Sequence, residues 1–426
     1  MLAQYDVNGE TLDSLDLKVL LLTHGVKVSG RVYQAFGRTH RLDPDPQTCN
    51  CLLLPDGTVV HLVDLAMHMG YIKKVLSWEM LRSLRYMLQL RTPFALDVAD
   101  SGRAVLSWKG RQVTAVAFPP PSQFYRQKTS SGLPFLGNAV LQGLDVLAFQ
   151  CLWPCQYAQA GCACQFCYSG GLYEHLARKG LPAPPSPSPR DVAEMVRYAV
   201  VAERSARHIQ LTGGSTMNPQ AECLVIKGFL DEIDRVVGLK NIPGEILVYT
   251  TPPSDPAEVD QLFAAGADRI VCSLEVWDER VAQIVTPGKW KFAGRKRFLD
   301  CLKYVARRYG PNRACSSFVV GLEPAESYLE AAQTLAAEGI APIASIWLPF
   351  GRPVRGTMRA PGLDYYRKIK EGLARIYETY GVVPPGSNGL NVCMCRDVWN
   401  HLADLSPSAP ACECSPPPVW HLAGKC

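Results

Sequence analysis

A chain of 426 residues, 47% apolar and with a formal net charge of +5, can bury a large core with room for one big domain and smaller additions. Its basic residues are scattered rather than gathered into a run, so nucleic-acid binding has no footing. No uninterrupted apolar run reaches the roughly 18–20 residues a membrane-spanning helix needs, and the start, MLAQYDVNGETLDSLDLKV, lacks the basic and apolar regions of a secretory signal, so a cytoplasmic protein is expected.

Short apolar runs at 18–22, 59–63 and 113–118, separated by turn residues such as Pro55-Asp56-Gly57, predict an N-terminal β-rich accessory domain over residues 1–125, with helix around 74–90. Pro119-Pro120-Pro121 closes it, because three prolines neither continue a helix nor serve a central strand. From residue 144 apolar strands at 144–149, 208–211, 245–249, 269–273, 316–320 and 342–348 alternate with helical periods at 191–204, 221–237, 256–265, 294–308, 326–338 and 363–380. This alternation predicts an α/β fold of right-handed βαβ units, a partial or full TIM-type (β/α) barrel over 140–385. Chemistry in such barrels sits at the C-terminal strand ends. The stretch 182–189 (PAPPSPSP) reads as a stiff surface excursion, and 386–426 as a cysteine-bearing tail.

Sixteen cysteines in a long chain without a secretory signal point to metal or catalysis rather than disulfides. Cys223, Cys272, Cys301 and Cys315 stand alone and read as core residues, whereas Cys151, Cys155, Cys162, Cys164 and Cys167 crowd together where the first barrel strand stops. Soft thiolates converging from an irregular loop suit an iron–sulfur cluster, and they also suit tetrahedral zinc.

Cys164-Gln165-Phe166-Cys167, with an aromatic before the last cysteine, resembles the end of the cluster loop of the radical S-adenosylmethionine (SAM) superfamily. The resemblance implies a [4Fe-4S] cluster on Cys155, Cys164 and Cys167, with Cys151 and Cys162 as alternates; the spacing is then C-x8-C-x2-C, where C-x3-C-x2-C is usual. It also implies that the reduced cluster cleaves SAM to a 5′-deoxyadenosyl radical that abstracts hydrogen from an unactivated C–H. Gly213-Gly214-Ser215-Thr216 looks like the family's GGE-type turn, which meets the amino group of SAM, with Ser215 or Thr216 standing where Glu is frequent. Ser273 and Glu275 match the strand end that meets the ribose hydroxyls, as in the biotin synthase and lipoyl synthase branch. Val319 and Gly321 correspond to the strand along the adenine, and Leu348 to the closing strand that flanks it.

Close cysteine pairs recur outside the barrel motifs. Cys393, Cys395, Cys412 and Cys414 are candidates for a second Fe-S cluster or a zinc site, and Cys49 and Cys51 form a further pair. The branch resemblance implies sulfur insertion in lipoyl- or biotin-like cofactor biosynthesis, on a small-molecule or carrier-bound substrate, with a reductant such as flavodoxin or ferredoxin as partner. Methylation, rearrangement or carbon–carbon bond formation on the same scaffold is the enzymatic alternative. A zinc-stabilised binding protein is the non-enzymatic one.

Overall fold

The computed structural model describes residues 2–45, 48–64, 92–167, 169–170, 173, 176–177, 180, 186–349, 359–386 and 392–405. The N-terminal part builds the hairpin β1 (Gln4–Val7) and β2 (Glu10–Asp13), helix α1 (Ser14–His24), and strands β3 (Lys27–Val28), β4 (Cys51–Leu53), β5 (Val59–His61), β6 (Phe94–Val98), β7 (Ala104–Trp108) and β8 (Arg111–Val116). β3, β6, β7 and β8 form a four-stranded sheet in that order, and β4 pairs with β5. The helix expected at 74–90 lies outside the described residues.

The large sheet holds β9 (Ala139–Gln142), β10 (Val146–Leu152), β11 (His208–Gly213), β12 (Ile246–Tyr249), β13 (Arg269–Val271), β14 (Ala314–Val320) and β15 (Ala341–Ile346), in chain order from one edge to the other. The last six are parallel, and β9 adds an antiparallel edge through Val146↔Gln142 and Phe149↔Ala139. The sheet curls into a partial TIM-type barrel, which is the fold class the alternation predicts. Strands covered on both faces read as continuous apolar runs rather than alternating ones, and β13 and β14 are buried along nearly their whole length.

Helices α2 (Pro189–Val196), α3 (Pro219–Val237), α4 (Gly294–Tyr309), α5 (Ala325–Ala336) and α6 (Leu363–Tyr380) form the outer layer. In α3 the Asn218 side chain caps the first turn, Pro219 stands where no N–H is needed, and Cys223, Ile226, Leu230 and Ile233 bury one stripe. Capping by Ser188 and Asp191 starts α2, which continues as a π-helical turn over Arg197–Ala202. Cys223, Cys272, Cys301 and Cys315 are all buried in the core, as expected. Among the described residues, no helix is long and apolar enough to cross a membrane.

Buried ion pairs fasten α1 to the carboxyl-terminal half. Lys18 Nζ donates to Asp397 at 2.7 Å, and Lys370 Nζ reaches both Asp13 (2.5 Å) and Asp16 (2.9 Å). Past the end of β14, the buried Glu323 carboxylate accepts from the backbone N–H groups of Trp277 and Asp278. Burial pushes its pKa up from 4.5 to about 7. The native state therefore holds this proton more tightly than the unfolded chain. The contribution to stability is fully present below pH 4.5 and is lost as pH rises through about 7. Glu323→Gln is expected to remove this slope, worth roughly 3 kcal/mol in full. Urea unfolding at pH 5 and pH 8 checks it, and an identical pH dependence in both proteins would refute the assignment.

Candidate active site

β10 delivers the chain to the cysteine loop at the C-terminal end of the sheet, and the loop is zipped to the turn after β11. Gly214 N–H donates to Leu152 O (2.8 Å), Gln156 N–H to Ser215 O (2.9 Å) and Met217 N–H to Gln156 Oε1 (2.6 Å). The glycines permit this approach. A Cβ on Gly214 would stand 2.4 Å from Cys155 Cα, and one on Gly213 would stand 2.6 Å from Leu152 Cβ. The other side of the loop is held by Gln165 N–H on Val285 O (2.8 Å) and by Gly288 N–H on Cys162 O (3.1 Å).

Cys155, Cys162, Cys164 and Cys167 are half-buried. Burial holds the Cys164 and Cys167 thiols above their ordinary pKa; Cys155 pushes both further up, and Cys167 does the same to Cys164. These three are thus electrostatic neighbours, but not a closed coordination set. No group of three Cys, His, Asp or Glu among the described residues stands at metal-holding distance. The donor set still suits an iron–sulfur cluster: three soft thiols on an irregular, partly buried loop, which must lose their protons to a metal before they bind it. Cys151 differs, being packed in the core on β10 with its thiol pushed up to about 12 by burial.

A cavity of about 310 Å³ opens beside the turn after β11 to which this loop is bonded, and the loop cysteines are not among the residues that line it. Of the residues singled out in the sequence, Gly213, Gly214, Ser215, Ser273, Glu275 and Cys393 line it. Thr216 does not; its N–H and Oγ both donate to Glu222 Oε2, at 3.1 and 3.0 Å. Glu222, which the sequence reading passed over, lines the cavity as a buried carboxylate and also accepts from Thr250 Oγ and Thr251 N–H. It ties the turn after β11 to the loop after β12. Its only signal in the sequence is an acidic residue in the first turn of a helix.

Lys289 was also missed. Its ammonium donates to Ser273 O at 2.6 Å and to Glu275 Oε1 at 2.8 Å. Burial acts against the charged lysine, but the carboxylate of Glu275 and the thiol of Cys164 beside it raise its pKa overall. Glu275 takes a positive φ of 69°, sparsely populated for a non-glycine residue. Its backbone bonds Ser317 O and Val319 N–H. The carboxylate expected at the ribose is therefore fixed on both its backbone and its side chain.

Phe166 and Val319 meet in an apolar cluster separate from the main core, with Val276, Val285, Leu322 and Trp347. Leu348 does not join them; it packs against the main core, and its neighbour Trp347 takes the place expected of it. Gly321 donates its N–H to Tyr365 Oη at 2.9 Å and faces Tyr366 rather than the cavity. Of the four tail cysteines, Cys393 reaches the cavity and Cys395 is fully buried beside it, while Cys412 and Cys414 lie outside the described residues. Cys49 sits 3.5 Å from His61 Nδ1, and Cys51 is buried near Arg41.

The model of the radical SAM superfamily matches residues 159–335. The match spans under half of the chain and takes in Cys162, Cys164 and Cys167, the Gly213-Gly214 turn and Ser273 with Glu275. Enzymes of this superfamily use a [4Fe-4S] cluster and SAM. A curated relative, bacteriochlorophyllide c C-7(1)-hydroxylase from Chlorobaculum limnaeum, is 23% identical over 262 residues, covering 59% of this chain and 65% of the relative. The chain thus matches just under two thirds of that protein's length. Among solved structures, coproporphyrinogen III oxidase (HemN) from Escherichia coli aligns at 17% identity and a TM-score of 0.30 over 41% of each chain. A radical SAM methyltransferase from Sphaerobacter thermophilus aligns at 15% identity and a TM-score of 0.38, over 78% of this chain and 87% of the other.

A further test of the turn follows from its packing. Gly214→Ala drives a Cβ into the Cys155 backbone, and a displacement on the order of 1 Å at a reacting centre costs roughly a hundredfold in rate. Under the function proposed below, SAM cleavage by this variant is expected to fall on that scale, with an overpacking cost of about 1–3 kcal/mol in thermal unfolding. Wild-type cleavage by the variant would mean that the contact does not position Cys155.

Proposed function

We propose that this protein is a radical SAM enzyme that abstracts hydrogen from an unactivated C–H of a small-molecule or carrier-bound substrate. One observation supports it above the others: the Gly213-Gly214 turn and the Ser273/Glu275 strand end, remote in sequence, line one cavity at the C-terminal ends of the strands, and the cysteine loop is hydrogen-bonded to that turn. Cys155, Cys164 and Cys167 would hold the [4Fe-4S] cluster. Bound together, cluster and SAM supply a one-electron carbon–sulfur cleavage that yields a primary carbon radical.

The remaining work falls to the chain. Backbone groups of Gly213 to Ser215 would orient the methionyl end of SAM, and Glu275, held by Lys289, would accept from the ribose hydroxyls. Phe166, Val319 and Trp347, gathered in one apolar cluster, would flank the adenine. An external one-electron donor such as a flavodoxin or ferredoxin is the partner this chemistry requires.

Sulfur insertion, as in the biotin and lipoyl synthase branch, needs in addition a sulfur donor beside the substrate carbon. Cys393 and Cys395 are the described members of the set expected to hold one. Hydrogen abstraction is the step that sulfur insertion shares with rearrangement and carbon–carbon bond formation on the same scaffold.

The test is anaerobic reconstitution with iron and sulfide, reduction with dithionite, and assay of 5′-deoxyadenosine from SAM. Brown protein that cleaves SAM is expected. Colourless protein that takes up zinc and leaves SAM intact would establish the zinc-stabilised binding protein instead.

A further inference from the structure

Residues 392–394 close the open edge of the sheet. They run antiparallel along β15: Ser345 and Cys393 face each other, Ile346 N–H donates to Val392 O at 2.9 Å, and Met394 N–H donates to Ala344 O at 3.0 Å. This short strap brings Cys393 into the cavity wall, beyond the strand farthest along the sheet from β9 and β10. Cys393 Sγ lies 3.1 Å from Ser345 Oγ. Its other partner is the Cys395 thiol, fully buried at the start of helix α7 (Cys395–Asn400) and hydrogen-bonded to it. Tyr249, also in the cavity wall, is its electrostatic neighbour.

Among the described residues lining the cavity, Cys393 is the one thiol. Cys223, Cys272, Cys301 and Cys315 are sealed in the core, and the loop cysteines are taken up as ligands in the reading above. An S–H bond is weaker than a C–H bond of saturated carbon. A carbon radical formed in contact with a thiol therefore takes its hydrogen atom downhill, while hydroxyls such as those of Ser345 and Ser317 hold theirs.

Resting on the radical reading above, we infer that Cys393 is a catalytic hydrogen-atom donor, which quenches the substrate radical and returns the carbon as C–H. In this step the Sγ–H bond breaks, a C–H bond forms, and the unpaired electron moves to Sγ with no change in charge. The thiyl radical recovers one hydrogen atom from an external dithiol reductant, directly or by way of the Cys395 thiol, and two turnovers convert one external dithiol into its disulfide. The reactions this suits leave hydrogen at the carbon attacked or at its neighbour, as inversion of configuration and rearrangement do. Trapping by sulfur needs no such donor.

The experiment requires no substrate. Reconstituted holoenzyme is reduced with dithionite in heavy water containing dithiothreitol and given SAM alone, and the 5′-deoxyadenosine formed is examined by mass spectrometry. With exchangeable thiol deuterium at hand, wild type is expected to place one deuterium in the product. Cys393→Ala and the size-conserving Cys393→Ser are expected to lose the label per molecule formed. A second readout needs no cluster: iodoacetamide labelling of the metal-free protein, mapped by peptide mass spectrometry, is expected to modify Cys393 and to leave Cys315 untouched. Label retained in both variants, metal lost from both relative to wild type, or a Cys393 inert to iodoacetamide would overturn the inference. Absence of 5′-deoxyadenosine from wild type would instead fell the radical reading on which it rests.

Discussion

Cys167→Ala is expected to abolish SAM cleavage and to strip the cluster from the protein, whereas Cys151→Ala keeps both. The contrast follows from where the two thiols stand. Cys167 is half-buried in the loop, and its pKa is raised chiefly by its own burial and further by Cys155. Cys151 is on β10 within the core. Thiolate metal sites bind with free energies on the order of 10 kcal/mol or more, so losing one of three ligands costs about a third of that, roughly two orders of magnitude in affinity. Removing Cys151 trims one buried sulfur, which costs about 1 kcal/mol or more of stability and no ligand. Iron content, the electron paramagnetic resonance signal of the reduced protein and 5′-deoxyadenosine yield check the pair. A Cys167→Ala protein with full iron and wild-type cleavage would exclude Cys167 as a ligand. A Cys151→Ala protein that is folded but has lost its iron would move the assignment to the alternate.

How much of this was legible depends on what each signal needs. The six parallel strands were readable because burial on both faces leaves apolar runs, as in Ile246–Tyr249 and the Val146, Leu147, Ala148 and Phe149 start of β10. β9, four residues of ordinary alternation at an edge, offered no such run. The short helices Glu279–Val285 and Pro287–Phe292 were missed because Pro287 divides them into pieces too brief for a helical period to show.

Candidate residues that belong to a local motif, the Gly213-Gly214 turn and Ser273 with Glu275, do line the cavity. Those that act across the barrel were missed: Glu222 binds two loops at once, and Lys289 reaches Glu275 from a helix fourteen residues on. Leu348 shows how narrow the margin is. Side chains alternate faces at a strand end, so a one-residue difference exchanges the core-facing Leu348 for Trp347, which joins Phe166 and Val319. The tail pair Cys393 and Cys395 was read for metal because residues at i and i+2 can share one. Only the strap along β15 shows that the first of them faces the cavity.

The largest loss of stability is expected from Lys18→Met. The Lys18 side chain is 0% exposed and its partner Asp397 7% exposed, at 2.7 Å, so neither charge has water to fall back on. Burial already raises the Asp397 pKa, and Lys18 is the first group acting to lower it. Without the ammonium, the carboxylate either stays charged and unpaired or takes up a proton at neutral pH. Breaking a buried pair from one side costs about 3–5 kcal/mol for this reason. The lesion lies between α1 and α7, so the N-terminal part is expected to loosen from the barrel first, still fastened by Lys370 on Asp13 and Asp16 and by Arg367 on Asp16 and Glu10. Replacing both partners, as in Lys18→Met with Asp397→Leu, removes the orphaned charge and is expected to recover most of the loss. The coupling energy from a double-mutant cycle in urea isolates the pair from the packing each side chain also provides. Hydrogen exchange in α1 locates the effect. A single mutant within about 0.5 kcal/mol of wild type would place the pair with surface ion pairs of little worth, and the docking of α1 would then rest on its apolar face, where Leu15, Leu17, Leu21 and Leu22 are all buried.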